Sequence, residues 1–176
     1  MTIHQDHPFA DPEPRRDPVR RLRGRLGGAV TLWTTGSGPG RAGLTVSSVL
    51  VAPGEPAHLL GLVDPDSDLA DALGGSGTAV VQLLHWRHRD LADAFAGVAP
   101  APGGPFRSAQ WRETDWGPLL EGVTAWAGIR LDRPGTPVGW STLLDGVVEH
   151  VEVAADDEAP PLVHRRGRYV RPDGAR

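Results

Sequence analysis

Apolar residues recur at two spacings along this chain, and the spacing changes several times. Val19, Leu22 and Leu26 fall at helical intervals behind Asp17-Pro18, an N-cap followed by a proline at the first helical position. Arg20, Arg21, Arg23 and Arg25 lie mostly off that stripe, and Gly27-Gly28 closes this short amphipathic helix. From Ala29 the period shortens. Residues 29–35 read as a strand, the glycine-rich stretch from Gly36 to Gly43 interrupts it, and Gly43 to Ala52 resumes as one strand. Ala57 to Val63 is a further strand. Residues 64–75 predict a helix of one to two turns, with Ser67 as N-cap, Leu69 and Leu73 as its buried pair and Gly74 as its stop. Thr78 to Leu84 is a buried strand, and residues 87–97 are a helix with Leu91 and Phe95 on one side.

Residues 98–118 carry Ala, Pro, Gly and Trp without period and read as a long loop, of a length usually functional or packed on a partner. Val123 to Leu131 alternates cleanly. Val123, Ala125, Ala127, Ile129 and Leu131 share one face, with Thr124, Trp126 and Arg130 on the other. Residues 138–153 give one bent strand or a close pair with a bulge at Gly146. Residues 156–158 form an acidic turn, and 161–172 are one last strand. Strands that follow one another through short links predict a mainly β (α+β) fold, an antiparallel barrel of six to seven strands with short flanking helices. Residues 1–16 read as a partly ordered, flexible arm, 17–172 as the domain and 173–176 as a tail.

Composition narrows the chemistry. The 176 residues include no Cys, which removes disulfides, thiolate nucleophiles and zinc-thiolate sites. All 18 basic residues are Arg, so a lysine Schiff base is impossible. A net charge of −4 disfavours bulk nucleic-acid binding, and no apolar run is long enough for a membrane span. The N-terminus has no apolar stretch of secretory type, so the expectation is a soluble, cytoplasmic protein. The 23 Gly and 17 Pro suit a turn-rich β fold.

Several motifs fall away on inspection. Gly36-Ser37-Gly38-Pro39-Gly40 resembles half a dinucleotide fingerprint, but a strand follows where a helix N-terminus is needed, so a hairpin link is the better reading. His85 and His88 lack a third metal ligand and read as hydrogen-bonded residues at a helix start. No Gly-x-Ser-x-Gly elbow is present. Trp111, Trp116, Trp126 and Trp140 offer flat surfaces for a planar ligand, a dimer interface or ordinary packing. Thr45, Ser47 and Ser48, with Ser67 at a helix N-terminus, can converge on an anion, although Asp66 and Asp68 compete for the same donors.

Taken in order, these pieces resemble the flavin reductase-like family, whose members fold as an FMN-binding split barrel. Gly43-Leu44-Thr45-Val46-Ser47-Ser48 is similar to its Gly-x-Thr-x-Ser-Ser strand, and Asp64 to Asp68 falls where its Ser/Thr-rich turn stands. Residues 80–84 look like its Val-Asn-x-Leu strand, with Gln82 in place of Asn, and residues 89–97 like the helix that follows. Residues 106–122 and 161–169 match its later loop and closing strand. The resemblance implies a homodimer with FMN, or FAD, at each subunit boundary and NAD(P)H as reductant. It makes Thr45, Val46, Ser47, Ser48, Val49, Leu50 and Val51 flavin contacts and Ser67 a phosphate ligand. The family's Gly-Asp-His is here Gly139-Trp140-Ser141, which places Trp140 beside the flavin face. A flavin-dependent oxidoreductase that passes electrons to free flavin, oxygen or a partner monooxygenase follows from this resemblance; a non-catalytic flavin- or haem-binding module and a ligand-free structural dimer are the alternatives. The loop 98–118, with Phe106, Trp111 and Trp116, is the expected dimer contact or an intramolecular lid.

Overall fold

Asp17 opens the first helix as the sequence predicts: its carboxylate accepts the Val19 N–H at 2.9 Å, and α1 runs Pro18–Leu26. The computed structural model describes residues 17–155 and 159–171; the N-terminal arm, the acidic turn at 156–158 and the C-terminal tail lie outside the described residues. The strands are β1 (Gly28–Ala29), β2 (Thr31–Thr35), β3 (Ala42–Val46), β4 (Val49–Ala52), β5 (His58–Val63), β6 (Thr78–Leu83), β7 (Trp111–Thr114), β8 (Gly117–Leu120), β9 (Ala125–Leu131), β10 (Thr136–Val138), β11 (Ser141–Val153), β12 (Val163–Arg165) and β13 (Arg168–Val170). Helix α2 spans Asp68–Ser76 and α3 spans Arg89–Phe95.

The main sheet is antiparallel, in the order β3-β2-β6-β9-β11-β5-β4, with β10 paired to β11. Its two outer strands, β3 and β4, are consecutive in the chain. The stretch expected as one strand breaks at Ser47-Ser48 and changes partner from β2 to β5, so a single segment bridges both edges of the curled sheet. That is the seam of a split barrel, and the expected mainly β architecture is the one observed.

Period-two alternation divides the core. In β2, Trp33 points into the barrel with Val46, Leu59, Val63, Leu69, Leu73, Ile129 and Leu144, while Leu32 faces a second layer of Val30, Leu84, Leu91, Phe95, Leu120 and Leu162. Burying each of these large side chains is worth about 1.5–3 kcal/mol. Trp33 sets the spacing of the barrel: a Cβ on Gly61 would lie 2.6 Å from its ring, so β5 lies directly against the indole. Its Nε1–H donates to the Thr31 hydroxyl at 3.1 Å, and that hydroxyl donates to the Val46 carbonyl at 2.7 Å.

Several boundaries differ from the sequence reading. Helix α2 runs through Gly74 and ends at Gly77, whose left-handed backbone turns its N–H onto the Leu73 carbonyl at 3.0 Å. Residues 98–118 are not irregular throughout: they contain a 3-10 turn at Pro105–Ser108 and begin the β7–β8 hairpin. That hairpin covers the outer face of β9 and buries Trp126 with Val80 and Leu119. The bulge in β11 falls at Glu149, between the Val148–Ile129 and His150–Gly128 pairs. Gly146 is flat strand, small because a Cβ there would meet Ile129 at 2.6 Å. The last strand is a hairpin, β12 to β13, turning through Arg166 and Gly167, both at positive φ. No helix among the described residues is long and apolar enough to cross a membrane.

Candidate functional site

The break at Ser47-Ser48 leaves local polar groups outside the ladder. Ser47 is exposed and Ser48 half-buried, and among the described residues neither hydroxyl has a hydrogen-bond partner. The Ser48 carbonyl accepts the Leu62 N–H at 3.0 Å, which fixes the seam against the end of β5. On the other side Gly28 approaches so closely that a Cβ would meet the Ser47 carbonyl oxygen.

Other predicted residues gather at this end through strand register. Thr142 pairs with Val63, so the β10–β11 turn at Gly139-Trp140 reaches the segment Asp64–Ser67 that follows β5. Trp140 is 76% exposed, and the Arg20 guanidinium of α1 lies 5.5 Å from its ring centre. Helix α1 therefore runs along the site, with Arg20 at Trp140 and Gly28, just past its C-terminus, at Ser47. Val49, Leu50 and Val51 continue along the open edge strand β4, where Leu50 and Val51 present large apolar side chains to solvent.

The remaining predicted residues are engaged within the fold. Val46 is buried in the barrel and its carbonyl is taken by Thr31. The Thr45 hydroxyl donates to the Ala92 carbonyl at 2.7 Å, tying β3 to α3. Ser67 caps α2, accepting from the Ala70 N–H at 3.3 Å and donating to the Asp64 carbonyl at 2.6 Å. An anion at this terminus would have to draw the Ser67 proton away from Asp64, with Asp68 and Asp71 in the same first turn.

Gln82 does not face the seam. It is fully buried and donates to the Thr34 hydroxyl at 3.0 Å while its carbonyl accepts the Leu120 N–H at 2.7 Å, clamping β8 to β6 and β2. His85 is buried against Thr124, with 2.8 Å between Nε2 and the hydroxyl oxygen, and His88 accepts the His85 N–H at 3.1 Å, so both histidines are structural parts of the turn before α3. Burial, then the charges of Arg87 and His85, lower the His88 pKa to about 4.

Sequence reasoning missed Arg41 and gave Phe106 only the role of a dimer contact or lid. With Gly43 and Asp68 they line a cavity of about 350 Å³ between β3, the α2 N-terminus and the 98–110 segment. The Arg41 guanidinium stands 4.5 Å from the Phe106 ring centre. The position of Arg41, between a glycine turn and the Thr-x-Ser-Ser strand, was the available signal. The aromatic rings of 98–118 pack within the chain: Phe106 and Trp111 lie 4.9 and 5.7 Å from Phe95, and Trp116 stacks on His150 at 5.3 Å. Exposed apolar side chains include Val19, Leu22 and Leu26 on α1 and Leu50 and Val51 on β4.

A planar, polar-edged ligand fits this seam on three counts: unpaired hydroxyls, an apolar open strand beside them, and an exposed indole across from them. The comparisons with known proteins point the same way. The family model described as flavin reductase like domain matches residues 23–173. An NADH:FMN oxidoreductase of Rhodococcus erythropolis is 33% identical over 146 residues, 81% of this chain and 74% of that protein. The 4-hydroxyphenylacetate 3-monooxygenase reductase component of Pseudomonas aeruginosa is 30% identical over 115 residues, 64% of this chain and 68% of that protein. The structure of the NADH:FAD oxidoreductase SgcE6 of Streptomyces globisporus superposes with a TM-score of 0.78 at 24% identity, covering 94% of this chain and all of that one.

Proposed function

This chain belongs to the flavin reductase-like family, and we propose that it is an FMN-binding oxidoreductase that uses NADH to reduce flavin. The observation that carries the assignment to a place is the Ser47-Ser48 seam, where unpaired hydroxyls meet the open edge of β4. Ser47 and Ser48 hydrogen-bond the polar edge of the flavin, Leu50 and Val51 support its apolar portion, and Trp140 stands at the rim of the face left open to the nicotinamide. Arg41 supplies the positive charge for the phosphate, with Ser67 as a second donor once its proton leaves Asp64.

A flavin held by Ser47, Ser48 and Arg41 would supply the hydride and electron chemistry itself, so the protein need supply no acid or base. Its own residues bind the ring, keep one face open and exclude water. The SgcE6 relative is named as an NADH:FAD oxidoreductase, which makes FAD the alternative cofactor, and the cavity beside Arg41 is the place this reading gives to the phosphate end. The working unit is a homodimer whose second copy covers the apolar edge strand β4. Residues 17–172 act as one domain, and the electron acceptor is flavin released to a partner oxygenase, as the monooxygenase reductase component among its relatives suggests.

The Trp140-Ser141 pair supports a second reading, a flavin carrier in which the indole blocks nicotinamide. Steady-state NADH oxidation with excess FMN separates the two. Turnover proportional to enzyme establishes the reductase; FMN binding with no turnover, restored by Trp140→Ala, establishes the carrier.

A further inference from the structure

Eight of the 18 arginines fall in two short segments, Arg20, Arg21, Arg23 and Arg25 in α1 and Arg165, Arg166, Arg168 and Arg171 at the end of the chain. The fold brings the two segments together. Gly28 pairs with His164 and Ala29 with Val163, and the Arg166 N–H donates to the Gly24 carbonyl at 2.8 Å, seating the β12–β13 turn on the last turn of α1. Arg21, Arg23, Arg25, Arg165, Arg166 and Arg168 are all exposed. Within residues 17–29 and 159–171 the only acid is Asp17, which caps α1, and Asp93 approaches from α3, where it hydrogen-bonds Tyr169. The field of this cluster is felt inside the fold: burial first, then Arg23, lower the His164 pKa, and Asp93 opposes them.

This positive face belongs to a chain of net charge −4, so the molecule is strongly polarised. It also borders the seam, because Gly28, two residues past the end of α1, lies against the Ser47 carbonyl, and Arg20 of α1 lies over Trp140. We infer that the arginines of α1 and of the β12–β13 turn form one electrostatic funnel that draws phosphate-bearing nucleotides to the Ser47-Ser48 seam. The inference rests on the flavin reading above. A long polyanion such as a nucleic acid would meet the acidic remainder of the surface, whereas a small dianion can approach along the arginine face. The funnel speeds arrival and leaves the bound state unchanged, because the arginines border the seam and do not line it.

The test is stopped-flow association of FMN and of riboflavin, which lacks the phosphate, with wild-type full-length chain and with Arg165→Gln/Arg166→Gln/Arg168→Gln. At low ionic strength the FMN association rate should fall by about 10-fold in the triple variant and lose most of its salt dependence, while riboflavin association and FMN dissociation stay at wild-type values. Arg21→Gln/Arg25→Gln reads the same funnel from the helix side should the triple variant fail to fold. An FMN rate and salt slope equal to wild type in the variants would overturn the inference, as would a parallel slowing of riboflavin. Salt-independent FMN binding by wild type removes the funnel and leaves the flavin reading standing; absence of any flavin binding removes both.

Discussion

Gly28 and Ser47 stand back to back: a β-carbon on Gly28 would lie 2.8 Å from the Ser47 carbonyl oxygen, closer than real Cβ contacts come. The seam that presents Ser47 is thus held open by the absence of one methyl group. Gly28→Ala should destabilise the fold by about 1–3 kcal/mol through backbone displacement and weaken FMN binding as Ser47 shifts. Gly74→Ala is its control. Gly74 lies inside α2 with open space where a Cβ would go, so alanine there should stabilise by about 0.5–1 kcal/mol and leave binding untouched. Thermal unfolding and FMN titration of both variants check the pair.

The hydroxyls of the motif should separate by role. Ser47→Ala and Ser48→Ala remove unpaired groups and should lower FMN affinity several-fold with unfolding temperature unchanged. Thr45→Ala breaks the bond to Ala92 and Ser67→Ala removes the α2 cap, each costing about 1 kcal/mol. Denaturant unfolding beside binding isotherms reads both effects; equal stability loss in all four variants would contradict the division.

Gln82 is the sharpest structural test. Gln82→Leu keeps the volume and strands the Leu120 N–H in a buried interior, while the Thr34 hydroxyl loses the Gln82 donor and keeps its bond to the Pro118 carbonyl. A loss of about 2–3 kcal/mol is expected in denaturant unfolding, with FMN affinity in the folded fraction retained because the amide does not face the seam.

His88 sets a pH dependence. Its folded pKa is about 4 against an ordinary 6.5, because burial penalises the charged ring and Arg87 and His85 add repulsion. Between these values the unfolded chain binds a proton that the folded chain does not. Stability therefore falls as pH drops from about 6.5 toward 4 and levels off below. His88→Gln, which still accepts the His85 N–H, should flatten that slope in denaturant unfolding measured across the window.

What the sequence disclosed was what is local. The caps at Asp17 and Ser67 depend on neighbours within a few residues, and both are found in place. What it hid was non-local. The run from Gly43 to Ala52 is uniformly strand-like, and nothing in it announces that Ser47-Ser48 changes partner from β2 to β5. Gly146 looks like a bulge because glycine is rare in strands, yet its reason is Ile129 across the sheet. The Arg166-Gly167 turn was hidden in a run of arginines, and the β7–β8 hairpin by the prolines and glycines that precede it. For the site, the hydroxyl residues were legible, but which hydroxyls are free depends on Ala92 and Asp64, known only from the fold.

The most direct test of the central claim is an absorbance titration of the purified chain with FMN, followed by NADH without oxygen. Saturable binding that is lost in Ser47→Ala/Ser48→Ala, with bleaching of the oxidised flavin band near about 450 nm on adding NADH, is the predicted result. Binding that survives the double variant, or no bleaching with NADH, would contradict it.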